Sequence, residues 1–302
     1  LPLLEELGSL ALLIVAAVVG GYTSKRLRMP PLLGMLLAGL LVRNLPGGLL
    51  DSLPDSWSVT LRLAALAVIL LRAGLGLNLR ALVELRVSLV RLAALPNLTE
   101  ATTVALAAYL LLDMPPIWSM LLGFVVAAVS PAVVVPGMLD LQAKGYGQDK
   151  GIPSMILAAA SFDDVISITG FGVTLSLIFA GRGEVGVAET LLRAPFELAV
   201  GLGFGVLAGL ICGTISRASA WIRFAALLGF GLLAVFGGWA LDMTGGGSLA
   251  AMTMGAVAAR SWHESSAPVA ALMGRVWAFA QPALFGLIGA AVALSAIESS
   301  YV

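Results

Sequence analysis

Of the 302 residues, 60% are hydrophobic and 11% charged, against about 45–50% and about 25% in a soluble domain, which excludes an ordinary water-soluble fold and points to a polytopic membrane protein. Seventeen Lys and Arg balance seventeen Asp and Glu, so no basic field exists to recruit nucleic acid. A single cysteine, Cys212, and a single histidine, His263, exclude an intrachain disulfide, a thiolate cluster and a zinc site built from several histidines.

A membrane-spanning helix takes about 20 mostly apolar residues. Ten segments qualify, each to within a few residues: 7–24, 30–45, 57–78, 82–112, 116–141, 152–180, 188–215, 220–242, 247–261 and 267–297. Proline or glycine clusters separate most of them, for example Met29–Pro31 and Gly245–Gly247. The chain starts at Leu1 without a basic leader, so no signal peptide is expected, and a piece of a longer protein is. The sequon Asn97-Leu98-Thr99 falls inside the fourth segment, where glycosylation is not expected.

The fourth segment also holds Glu100 near mid-depth. A lone buried carboxylate there needs a proton or a partner. Arg62 and Arg72 of the third segment are candidates, although Arg72 lies close enough to the segment's end to snorkel. Glu197 and Asp242 lie nearer segment ends and are expected to reach water.

The fifth segment reads "IWSMLLGFVVAAVSPAVVVPGMLDLQ", with Pro131 and Pro136 near its middle. Each proline removes a backbone donor and clashes with the preceding turn. The helix is therefore expected to open around Ser130–Pro136 and leave carbonyls without partners. Such backbone is tolerated at membrane depth only where it lines a cavity or is buried in protein. A plain proline kink is the alternative.

The sixth segment carries "AAASFDDVISITG", residues 158–170. Asp163 and Asp164 lie roughly 15 Å into a helix rising about 1.5 Å per residue, close to the bilayer midplane. A charge there costs at least about 2.5–3.5 kcal/mol, so two adjacent carboxylates demand compensation. Consecutive helical residues point about 100° apart, so the pair reaches two walls of one cavity. A hydrated cation or shared protons would compensate it; an interhelical hydrogen-bonding pair is the alternative. Carboxylates beside broken-helix carbonyls form an oxygen-rich site suited to a hard monovalent cation. The seventh segment has Gly201, Gly205, Gly209 and Gly213 in a stripe, which lets another helix approach closely.

Taken in strict alternation, the loops on one side hold Lys25, Arg26, Arg28, Arg80, Arg86, Arg91, Lys144, Lys150, Arg217, Arg223 and Arg260, eleven cations against three (Arg43, Arg182, Arg193) on the other. This bias assigns the first set to the cytoplasm and both ends of the chain to the opposite side. The two halves also echo each other: "PLLGMLLAG" (31–39) resembles "GSLAAMTMG" (247–255), and "RAGLGLNLRAL" (72–82) resembles "LIGAAVALSAI" (287–297), Gly39 to Gly74 spanning 35 residues and Gly255 to Gly289 spanning 34. Echoing helices seven apart run in opposite directions, the pattern of an inverted-topology repeat.

The block "GFVVAAVSPAVVVPGMLDLQAKGYGQDKGIPSMILAAASFDDVISITGF", with "PLLGMLLAG", "LLRAGLGLNLRAL" and "QPALFGLIGA" in the same order, resembles the animal NHA-type sodium/proton antiporters, a subfamily-B-like, double-aspartate group within the solute carrier 9 family. The likeness covers essentially the whole chain. It implies an all-α polytopic membrane protein of about ten transmembrane helices, an antiporter-type inverted repeat with a broken helix 5 and an incomplete second repeat. The implied parts are a first repeat (1–181), a linker helix (182–218) and a partial second repeat (219–302). By the same resemblance Asp164 is the main cation ligand and proton acceptor, Asp163 is its electrostatic partner, and Na⁺ binds at the pair. Ser130 and the backbone near Val133 and Val134 help line the site, and Pro131 and Pro136 are the broken-helix prolines. Glu100 pairs with a basic residue on a later helix. The resemblance implies no enzyme activity, no cofactor and no organic substrate, only Na⁺ or Li⁺ and H⁺, in a homodimer embedded in a plasma or organelle membrane. Family members continue for three more helices, whereas nothing here echoes segments 4, 5 and 6, so the transport core is expected to be half present.

Two functions follow as expectations. One is a secondary transporter exchanging Na⁺ or Li⁺ for H⁺ by alternating access at the Asp pair. The other is a non-transporting truncated paralogue or fragment that acts as a dimerisation or regulatory partner. An intramembrane aspartyl protease also uses two aspartates, but on facing helices and with a "GxGD" motif absent here. A bile-acid-type transporter would share the crossed helices, but the adjacent carboxylates favour a small cation.

Overall fold

The computed structural model describes residues 2–77, 86–178 and 187–294. Among these residues every regular element is helical: α1 (Pro2–Arg26), α2 (Pro31–Asn44), α3 (Asp55–Leu75), α4 (Arg86–Leu111), α5 (Pro116–Ala127), α6 (Pro131–Ala143), α7 (Ile152–Ile178), α8 (Val187–Thr214), α9 (Ala220–Ala240), α10 (Thr244–Trp262), a 3-10 turn (His263–Ser266) and α11 (Ala267–Ala290). Prolines open α2, α5 and α6, where the missing N–H has no intrahelical partner to lose and φ is already helical.

Among the described residues six stretches are long and apolar enough to cross a membrane: Leu3–Arg26, Asp55–Leu75, Pro116–Ala143, Pro195–Thr214, Ala220–Ala240 and Ala267–Ala290. The sequence reading expected ten. Part of the difference lies in α2, which has 14 residues. Another part lies in α4 and α10, which charged, polar or glycine residues dilute.

Two compact units are distinguished, Leu1–Val68 with Leu272–Val302, and Ile69–Ala271. These are packing units rather than repeats, and the repeat boundary expected at 181 lies outside the described residues. In the first unit α1 meets α2 at Gly20 and Gly34, each backbone filling the space where the other would carry a Cβ. A second crossing sets α2 on α11: a Cβ at Gly39 would overlap the Gly286 carbonyl oxygen, and one at Gly289 that of Leu36. Asn44 ties the ends of these helices together. Its Nδ2 donates to the carbonyls of Leu40 (2.8 Å) and Val292 (2.9 Å), and its Oδ1 accepts from the Leu294 N–H at 2.8 Å. Leu13, Val42, Leu50 and Leu287 fill the space between.

In the second unit the end of α3 crosses α10 in the same manner, Gly74 against the Met252 carbonyl and Gly255 against that of Leu71. The stripe on α8 lies along α10, with Gly201 and Gly205 facing Gly246 and Ala250, and Gly209 and Gly213 facing Val257 and Ser261. Arg223, counted from the sequence among loop cations, is 6% exposed in the first turn of α9. Its guanidinium stands 5.3 Å from the centre of the Trp262 ring and donates to the Ser265 carbonyl at 2.8 Å. Trp262 Nε1 in turn donates to the Cys212 carbonyl at 3.0 Å.

Candidate functional site

α5 is held on two sides before it ends. Gly123 lets its backbone lie against the Ala101 carbonyl of α4, and the Phe124 ring occupies the space that Gly170 leaves on α7. Ala101, Phe124 and Ala127 are buried together. Beyond Ala127 the chain is extended, with Ala128 at φ −63°, ψ 118° and Ser130 at φ −71°, ψ 116°. The cause is Pro131, whose ring drives the preceding residue out of the helical region. α6 then restarts at Pro131, the Ser130 carbonyl accepting from the N–H groups of Val133 (3.0 Å) and Val134 (3.1 Å).

The interruption is therefore shorter and earlier than expected. It covers 128–130, not Ser130–Pro136. Pro136 sits inside α6, where it removes one intrahelical bond without reopening the helix, because five residues of the new helix already precede it. The break faces the end of α5, whose last carbonyls have no helical donors, and the start of α6, whose first N–H groups have no helical acceptors.

Into this break α7 presents Asp163. Its Oδ2 accepts from the Val129 N–H at 2.9 Å, and its Oδ1 accepts from Asn97 Nδ2, also at 2.9 Å. Asn97 Nδ2 donates in addition to Ser167 Oγ at 2.6 Å. Asn97, Asp163 and Ser167 are 1%, 5% and 2% exposed, so this is a buried polar cluster, of the kind in which a hydrogen bond to a charged group contributes about 1.5–3 kcal/mol net. A carboxylate only accepts, which fixes the Asn97 amide nitrogen toward Asp163. Among the described residues the Asn97 Oδ1 is buried without a partner.

α4 reaches the break along the face Ala93, Asn97, Ala101 and Ala108, all buried. Glu100 lies off that line and is exposed, a correction to its expected burial: it is displaced from Asn97 around the helix and does not enter the polar cluster. No ion pair to it is formed among the described residues, where the ion pairs are Arg43–Asp51 and Lys144–Asp140. Arg62 donates instead to Ser58 Oγ. Ser130 and Val133 are exposed and Val134 is half-buried at the start of α6. Asp164 follows Asp163 in α7, and its side chain lies outside those described.

Sequence reasoning missed Asn97 and Ser167. In the sequence Asn97 stands out only as part of a sequon, yet a polar amide directly after Pro96 inside an apolar run is a signal of a buried partner. Ser167 stands four residues after Asp163, hence on the same helical face. The Val129 N–H carried no signal, since its release depends on the extended backbone before Pro131.

A buried, hydrogen-bonded carboxylate thus stands at a helix interruption, and a second aspartate follows it in sequence. The family model described as sodium/hydrogen exchanger, transmembrane, matches residues 13–302. Sodium/hydrogen exchanger 9B1 of Macaca fascicularis is 38% identical over 98% of this chain and 59% of its own length. Sodium/hydrogen exchanger 9B2 of Mus musculus is 41% identical over 91% of this chain and 50% of its own length. The chain thus spans a half to three-fifths of the length of these curated relatives. The solved structure of the sodium proton antiporter MjNhaP1 from Methanocaldococcus jannaschii at pH 8 shares the fold, with a TM-score of 0.73 over 99% of this chain and 73% of that one at 19% identity.

Proposed function

The chain belongs to the sodium/hydrogen exchanger family, and from that premise we propose that it carries part of a cation site exchanging Na⁺ or Li⁺ for H⁺ by alternating access. The observation that carries this reading is the anchoring of Asp163. Both of its oxygens are engaged by buried donors, one of them the backbone of the interrupted helix. In the proposed mechanism Asp163 is a positioning residue: it holds the break open and supplies a fixed negative charge. Asp164, turned about 100° around the helix, is the carboxylate that a cation and a proton take in turn. Carbonyls at the end of α5 complete the oxygen set, and Ser130, Val133 and Val134 border it.

The inverted repeat is part of the same proposal, and the glycine crossings support it. Gly39 with Gly289 and Gly74 with Gly255 each join one helix of the first repeat to one of the second. The proposed repeat relates Gly39 to Gly255 and Gly289 to Gly74, so it carries one crossing onto the other. A homodimer in the bilayer, with the cation-rich loops on the cytoplasmic side, completes the reading.

The test is Asp164→Asn in the complete protein, reconstituted in liposomes with an internal pH dye. Sodium-driven proton efflux is expected to disappear while the protein still folds; efflux at the wild-type rate would sink the assignment.

A further inference from the structure

At the far ends of α6 and α10 the second unit forms an open cavity of about 580 Å³ lined by Gly76, Gln142, Gln148, Ser154, Arg260 and His263, among others. Its wall is tied together by amides. Gln142 Nε2 donates to the Gly76 carbonyl at 3.0 Å and to Ser154 Oγ at 3.3 Å, and Gln148 Nε2 donates to the Gln142 carbonyl. These bonds hold α3, α6 and α7 around one space before any ligand arrives.

Arg260 and His263, both exposed, line that space, and neither forms an ion pair among the described residues. His263 is also held in an unusual backbone conformation, φ 50° and ψ −130°, which a side chain with a Cβ rarely adopts. Such strain persists only where neighbours over-determine it, and here they do. Trp262 is anchored by its bond to the Cys212 carbonyl and by the Arg223 guanidinium over its ring. Ser265 is anchored by the same guanidinium. His263 is pinned between the two and made to line the cavity. Its Nδ1 is 3.3 Å from the Ser261 carbonyl oxygen, which leaves Nε2 for a ligand.

We infer that this cavity binds an anion carrying a phosphate monoester, with the Arg260 guanidinium and the His263 imidazole as its ligands. The guanidinium fork matches two phosphate oxygens at once, and the space exceeds what a bare phosphate fills, within the range of about 300–1,000 Å³ usual for small-molecule sites. The proposal also accounts for an otherwise awkward feature. The Arg260 guanidinium brings a fixed positive charge to this polar cavity, and a bound anion neutralises it. A phosphomonoester reaches the cavity either as a soluble metabolite or as a lipid headgroup.

Binding decides the matter without reference to exchange. The purified full chain in detergent is titrated with inorganic phosphate at constant ionic strength against chloride, following the melting temperature. In a second arm it is mixed with phosphatidylcholine vesicles with and without phosphatidic acid. A saturable response is expected to weaken at least about tenfold in Arg260→Gln, the loss of one charge-assisted contact. His263→Gly is expected to weaken binding too, while its melting temperature stays equal or rises, since glycine accepts that backbone conformation without strain. A response to phosphate identifies a soluble ester, and a response to phosphatidic acid alone identifies a headgroup; either supports the site. No saturable response to either probe, or one undiminished in both variants, overturns it.

Discussion

The break at 128–130 and the seam between α8 and α10 bring helices together by opposite means. At the break, three buried polar side chains and one backbone N–H meet through directional bonds between 2.6 and 2.9 Å. Along the seam, glycines at every fourth position set one backbone against another, and the contacts are those of shape alone. The first arrangement tolerates changes of volume better than changes of chemistry. The second tolerates the reverse. A membrane interior makes this division sharp: water is absent to rescue an unpaired donor, and apolar surface gains little from burial when lipid is equally apolar.

The largest expected effect tests the seam. In Gly205→Leu the first added carbon would lie 2.6 Å from the Ala250 carbonyl oxygen and 2.8 Å from Thr253 Cβ. Overpacking against backbone is expected to cost about 3 kcal/mol, read as a lower melting temperature in detergent. An unchanged melting temperature would show that the helices separate freely and that the seam is not rigid.

Next comes the break. Asp163→Asn keeps the shape but replaces an acceptor by a donor, which must then face either the Val129 N–H or the Asn97 amide nitrogen. A loss of about 2 kcal/mol follows from the donor left without an acceptor, although no atom has been added. If the variant is as stable as wild type, the carboxylate is not the anchor described here. Ser167→Ala removes only one acceptor from Asn97 Nδ2, which keeps its bond to Asp163, so the expected cost is about 1 kcal/mol in the same measurement. A cost equal to that of Asp163→Asn would mean that the hydroxyl, not the carboxylate, orders the cluster.

The smallest effect has the opposite sign. Gly203 lies on α8 between two stripe glycines, yet a Cβ there meets nothing within 4 Å. Gly203→Ala is expected to stabilise by about 0.5–1 kcal/mol through helix propensity alone. Destabilisation would show that the close approach extends around the helix beyond one face.

The legible part of the site was the part set by local rules. Pro131 ended a helix because its own ring acts on the residue before it, so an interruption in the fifth apolar run could be read directly. Its position was not legible, because Pro131 and Pro136 look alike in the sequence, whereas a proline that begins a helix and one that lies within it act differently. Asp163 was found because a charge in an apolar run is conspicuous. Asn97 was not, since an amide carries no charge and its partner is 66 residues away. Glu100 was placed in the interior on depth along its helix, while its exposure depends on rotation about the helix axis relative to Asn97.

Composition and run length alone determined that the chain is helical and made for a membrane, since apolar stretches of that length have no other stable solvent. The order of its motifs also carried the family. Only the tertiary structure decided that Asp163 is anchored by Asn97 and the Val129 N–H, which glycines are contact points and which are empty, and that Arg223 is buried rather than in a loop. These outcomes depend on which faces of distant helices meet, and a hydrogen bond or backbone contact exists only once both partners have been brought within a few tenths of an ångström.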